Sequence, residues 1–125
     1  VVAIIDAEPG FETLTAQLAR ERHTRISAAT LVEIHAVIYR RGKVENLRRA
    51  QRLLEQFDVE TVPLDADQSR IAGEAYRDYG RGSGHLADLN LGDCFSYALA
   101  IARDEPLLFV GDDFTHTDVR VALKR

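Results

Sequence analysis

Along the chain, short apolar runs alternate with longer segments in which apolar residues recur every three to four positions. The opening run Val1-Val2-Ala3-Ile4-Ile5 is broken at Glu8-Pro9-Gly10, after which Phe11, Leu14, Leu18 and Ala19 recur at helical spacing. Arg25-Ile26-Ser27-Ala28 reads as a short strand. The spacing predicts a helix from Ala29 to Arg41, with Leu31, Ile34 and Ile38 on one stripe and Gly42 as its stop. A basic helix follows from about Val44 to Phe57, with Leu47, Leu53, Leu54 and Phe57 inward. Val59-Glu60-Thr61-Val62 is β-branched and alternating, as a strand is. Asp65-x-x-Gln68 has the form of a capping box and opens a helix to about Tyr79. Gly80 to Asn90, with three glycines, is the main loop. Leu91 to Arg103 is a helix with Leu91, Cys94, Phe95, Ala98, Leu99 and Ala102 on one face. Pro106 precedes the fully apolar strand Leu107-Leu108-Phe109-Val110, and a last strand is expected around Val119 to Ala122.

Short apolar strands alternating with helices define an α/β fold with a mostly parallel central sheet. The 125 residues suffice for one domain with a real core, residues 1–125. Such a sheet normally starts with a strand. Here the opening run is read as the helix that follows one, so the first strand is expected to be missing and residues are expected upstream of Val1. The absence of any Met points the same way.

Composition narrows the function classes. No apolar stretch approaches the roughly 20 residues of a membrane helix, and no basic-then-apolar leader is present. The single Cys94 excludes an internal disulfide framework and fits a reducing compartment, so a cytoplasmic location is expected. The net charge of −4 argues against general coating of nucleic acid. Its distribution is uneven: residues 20–52 carry nine Arg and Lys against three acids, a balance of +6, which leaves −10 on the rest. A basic segment beside an acidic remainder can hold a polyanion near a carboxylate-rich site, although a solvated helix face accounts for the same pattern.

In a parallel α/β sheet the helices begin at the carboxyl edge of the strands, where such folds bind ligands. Glu33 lies near the start of the helix after strand 26–28, Asp93 in the first turn of the helix leading to strand 107–110, and Asp112 and Asp113 just beyond that strand. All four are expected at one edge. Carboxylates gathered there repel one another, and a hard divalent cation with oxygen ligands, Mg2+ or Mn2+, relieves the repulsion. Each acid also has a plainer explanation. Thr30-x-x-Glu33 and Asn90-x-x-Asp93 both fit capping boxes, and Gly111-Asp112-Asp113 fits a turn. The histidines lack zinc spacing, and Cys94 lies on an apolar stripe. Arg81 and His85, in the glycine-rich loop before the Asp93 helix, are candidate phosphate contacts, although a solvated hinge explains that loop as well. Asp65-Ala66-Asp67 with Gly111-Asp112-Asp113 suggests a haloacid-dehalogenase-type phosphatase, but the required intervening lysine is absent; the only lysines are Lys43 and Lys124.

Three stretches together resemble the PIN-domain toxins called VapC. Residues 26–33, Ile-Ser-Ala-Ala-Thr-Leu-Val-Glu, resemble the second acidic motif of that family. Residues 89–98, Leu-Asn-Leu-Gly-Asp-Cys-Phe-Ser-Tyr-Ala, resemble the third and are the most specific. Residues 106–114 with Thr117-Asp118 resemble the carboxyl-terminal motif. The likeness runs in order over essentially the whole chain. It implies a PIN-like α/β domain with helices on both faces of the sheet. It also implies a metal-dependent endoribonuclease, the toxin of a type II toxin–antitoxin pair, in which a metal-activated water attacks RNA and leaves a 5′-phosphate and a 3′-hydroxyl. By the same likeness Glu33, Asp93 and Asp112 are catalytic residues and ligands of Mg2+ or Mn2+, with Asp113 a further ligand. The implied partners are RNA, a VapB-type antitoxin whose tail lies in an apolar groove beside the site, a second copy in a homodimer, and operator DNA through the antitoxin only. The family's usual first strand ends in an Asp ligand with no match here. Val1–Asp6 is similar to the helix after it, which sets Asp6 away from the active edge. The alternative is a non-catalytic PIN-like module that binds RNA or protein through residues 40–52.

Overall fold

The computed structural model describes residues 2–3, 15–16, 18–42, 44–108 and 117–118. Its elements are β1 (Val2–Ala3), β2 (Arg25–Ser27), α1 (Ala28–Arg41), α2 (Val44–Gln56), β3 (Glu60–Val62), α3 (Ala66–Tyr79), α4 (Leu91–Arg103) and β4 (Leu107–Leu108). The strands form one sheet in the order β3-β2-β1-β4, with every pairing parallel. The α/β class and parallel sheet expected from the sequence are therefore present. The helix at 11–14, the site acids Asp112 and Asp113, and the strand at 119–122 fall outside the described residues.

The opening run differs from expectation. Val2–Ala3 is paired as an inner strand where a helix was expected, with Val2 level with Arg25 on one side and Leu107 on the other. The physical reason lies in its composition. A strand between two parallel neighbours is covered on both faces, so it reads as a continuous β-branched apolar run without alternation. Such a short run carries no period that separates strand from helix.

Register and alternation assign the two faces. Val62 is level with Ser27, and Arg25 and Leu107 are level with the same residue of β1, so the side chains of Val62, Ser27, Arg25 and Leu107 share one face and Ile26 takes the other. The buried clusters agree. Val62 and Leu107 pack with Ala72 and Ala75 of α3 and with Cys94, Tyr97, Ala98 and Leu99 of α4. Ile26 packs with Leu18, with Ile34 and Ile38 of α1 and with Ala50 and Leu53 of α2. Helices thus cover both faces of the sheet.

Local chemistry sets the helix ends. The Ser27 hydroxyl accepts the Ala29 N–H at 3.2 Å and caps α1. Gly42 ends that helix at φ +69°, a conformation that favours glycine, and donates to Ile38 and Tyr39 carbonyls. Asp65 caps α3 by accepting the Gln68 N–H at 2.8 Å.

At the amino end of the strands, Arg25 joins three elements. Its Nε donates to Glu60 Oε1 at 3.1 Å, and its Nη1 donates to Glu105 just before β4. Ile26→Ala is expected to cost about 2–5 kcal/mol, because it empties a fully buried site between sheet and helices. Arg25→Ala is expected to cost less, roughly 1–2 kcal/mol, since its ion pairs are only partly shielded from water. Urea titrations of both variants measure the order.

Candidate active site

The site is built where α1 meets α4. Thr30 Oγ1 and Ser96 Oγ lie 3.2 Å apart in a buried hydrogen bond. Further along α1, the carboxylate of Glu33 lies against Gly92, so closely that a Cβ on residue 92 would collide with it. A step forward on α1 from Thr30 to Glu33 thus matches a step back on α4 from Ser96 to Gly92. The two helices pass antiparallel, and the Glu33 carboxylate reaches Gly92 in the first turn of α4, one residue before Asp93 in the chain.

Asp93 is oriented by the backbone. Its N–H donates to Asn90 Oδ1 at 2.8 Å, while its own Oδ2 accepts the Asn90 N–H at 3.1 Å. The capping box expected at Asn90-x-x-Asp93 is therefore formed, and it fixes the Asp93 carboxylate at the start of α4. The corresponding explanation of Glu33 is corrected. Ser27, not Thr30, caps α1, and the first turn of that helix holds no acid. Ser27 takes the capping role because α1 begins directly at the end of β2, and Thr30 is turned inward to Ser96 instead.

Both carboxylates sit at the amino end of α4, where unpaired N–H groups and the helix dipole favour negative charge by about 0.3–1 kcal/mol each. Their oxygens are donors of the kind that Mg2+ and Mn2+ accept. Among the described residues no three acidic, histidine or cysteine side chains come together as a metal cluster. The structure thus joins two of the four acids singled out in the sequence; the other two lie outside the described residues.

The glycine-rich loop returns to the same helix start. Gly80 bridges Leu89, Arg81 N–H donates to the Leu89 carbonyl at 3.0 Å, and Leu89 N–H donates to Tyr79 at 2.8 Å. Arg81 is exposed and lies close in space to the residue preceding Asn90. His85 braces the loop: Nδ1 accepts the Ala87 N–H at 3.1 Å, and its ring packs edge-on against Tyr79 at 4.9 Å. Apolar side chains stand exposed around this region, with Val32 next to Glu33, Leu91 next to Gly92, and Leu86 in the loop.

Three contributions went unseen in the sequence: the Gly92 seat, the Thr30–Ser96 bond, and the hydrogen bond from the Tyr97 hydroxyl to Asp118. Burial first, then Asp118, hold the Tyr97 hydroxyl above its ordinary pKa. The available signals were a glycine inside a helix and polar residues on faces otherwise apolar.

The comparisons with known proteins agree with this architecture. Residues 1–120 match the family model described as PIN domain, and the chain belongs to that family. Within it, the chain is 52% identical over 122 residues to "Ribonuclease VapC42" of Mycobacterium tuberculosis, covering 98% of this chain and 93% of that protein. It is 42% identical over 125 residues to "Ribonuclease VapC28" of the same organism, covering 100% and 94%. These relatives make it a PIN domain of the VapC type. In fold it is similar to a chain of a "Toxin-antitoxin complex from Klebsiella pneumoniae", with a TM-score of 0.64 over 98% of this chain and 96% of that one, at 15% identity.

Cys94, next to Asp93, is buried, and burial together with the Asp93 charge pushes its thiol up to about 11. At pH 8 it is expected to resist a thiol reagent such as dithionitrobenzoate until denaturant is added, whereupon one thiol per chain reacts. Asn90→Ala is expected to cost about 1 kcal/mol through loss of the α4 cap. Thermal denaturation measures that cost.

Proposed function

We propose that this protein is the ribonuclease toxin of a toxin–antitoxin pair and that it cleaves RNA in a divalent-metal-dependent reaction. The observation that carries the reading is the delivery of Glu33 to the capped first turn of α4 beside Asp93. The VapC ribonucleases to which it is similar support it. Glu33, Asp93 and Asp112 are assigned to the acidic site, with Asp113 as a further ligand. All of residues 1–125 form this one domain.

Mg2+ or Mn2+ held by these oxygens would lower the pKa of a water and neutralise charge on the scissile phosphodiester. The chain's own residues do the rest. The Asn90 cap holds the Asp93 carboxylate in one orientation, so a bound cation meets a fixed donor. The α1–α4 contact fixes Glu33 against that turn. Arg81, exposed beside the start of α4, and His85 at the base of the same loop contact RNA phosphates, which position the strand without reading its sequence. The exposed Val32, Leu86 and Leu91 offer apolar area to a VapB-type antitoxin. A homodimer, operator DNA binding through the antitoxin and a cytoplasmic location complete the proposal. Among the described residues no helix is long and apolar enough to cross a membrane.

The test is cleavage of a mixed cellular RNA pool by protein freed of antitoxin, with Mg2+ or Mn2+ and with EDTA. Discrete fragments are expected, lost with EDTA and reduced at least about a hundredfold in Asp93→Asn, with Glu33→Gln also impaired. Fragments that survive Asp93→Asn would show that the site lies elsewhere. A folded protein that binds RNA and never cuts it would favour the non-catalytic module.

A further inference from the structure

Gly92, in the first turn of α4, and Gly73, inside α3, are both helical, yet their surroundings are opposite. A Cβ at Gly73 in α3 would meet nothing within 4 Å, whereas one at Gly92 in α4 would strike both carboxylate oxygens and the carboxyl carbon of Glu33. Gly92 is not required by its backbone. The positive-φ glycines among the described residues are Gly42, Gly82 and Gly84. Glycine in a helix interior costs about 0.5–1 kcal/mol relative to alanine; in a first turn the cost is smaller, and Gly92 returns nothing for it in backbone geometry. What it provides is space, filled by a carboxylate on another helix.

We infer that Gly92 is the positioning residue for Glu33: its missing side chain is the seat that holds the Glu33 carboxylate beside Asp93. This rests on the proposed metal-dependent reading. The group that a methyl at position 92 would meet is the far end of a flexible side chain, not backbone. Gly92→Ala therefore leaves the fold in place and moves the carboxylate away. The same substitution at Gly73, where a Cβ meets nothing, is expected to add stability.

A double-mutant cycle on the full chain tests this with two readouts. The first is Tm. Gly73→Ala is the control and is expected to raise Tm by a few degrees. Gly92→Ala is expected to raise Tm similarly in a Glu33→Ala background and clearly less in the native background. Equal gains in both backgrounds would show that no seat exists and overturn the proposal. The second readout is Mn2+ affinity by calorimetry, without RNA. Gly92→Ala and Glu33→Ala are each expected to weaken it by about tenfold or more, and the double variant no further than Glu33→Ala alone. Native affinity in Gly92→Ala alongside a loss in Glu33→Ala would overturn the positioning role. If Glu33→Ala keeps native affinity while Asp93→Asn loses it, Glu33 is no ligand and its functional positioning falls, while the Tm cycle still decides the seat separately.

Discussion

Where α1 passes α4, Glu33 lies on the bare backbone of Gly92, and nearby Thr30 shares a buried hydrogen bond with Ser96. The rest of the acidic edge depends on this crossing. It sets two helices from distant parts of the sequence at one distance and one register, so an acid on the first is brought to the first turn of the second. Neither helix does this alone. Each is anchored to the sheet: α1 through Ile34 and Ile38 packed with Ile26, and α4 through Cys94, Ala98 and Leu99 packed with Val62 and Leu107. The two hydrophobic clusters, on opposite faces, are what hold the polar contact in register.

How much of this could be read in the sequence follows from the kind of signal each part carries. The longer helices have apolar stripes of period near 3.6, and α1, α2, α3 and α4 begin and end within a residue or so of expectation. The strand β1 differs from the helix expected there because a run of five apolar residues has no period that separates the two. The site shows the same division. Asn90-x-x-Asp93 was legible because a capping box is a local pattern. The Gly92–Glu33 and Thr30–Ser96 contacts join residues about sixty positions apart, and no spacing rule reaches across that distance.

The basic segment at residues 20–52 divides once the fold is known. Arg25 is structural, tied by ion pairs to Glu60 and Glu105 across three chain segments. Arg40, Arg41, Arg48, Arg49 and Arg52 are exposed at the end of α1 and along α2. On α2, Glu45 stands three and four positions before Arg48 and Arg49, and Glu55 three after Arg52, spacings at which opposite charges on a helix attract. Glu45 is already counted in the +6, but Glu55, Glu60 and Glu105 lie outside residues 20–52 and offset it further. The positive field of this face is therefore smaller than +6 suggests.

The cap at Asp93 does not compete with the role in metal binding proposed above. A helix amino terminus favours a carboxylate by about 0.3–1 kcal/mol whether or not a cation is bound, and the cap ties Asp93 to Asn90 while Glu33 lies against Gly92. Both acids are therefore restrained before any ligand arrives, and under the proposed reading a divalent cation would meet donors that need little reordering. The local choices that weaken the fold, a glycine in the first turn of α4 and an acid brought against it, are the ones that such a site would use.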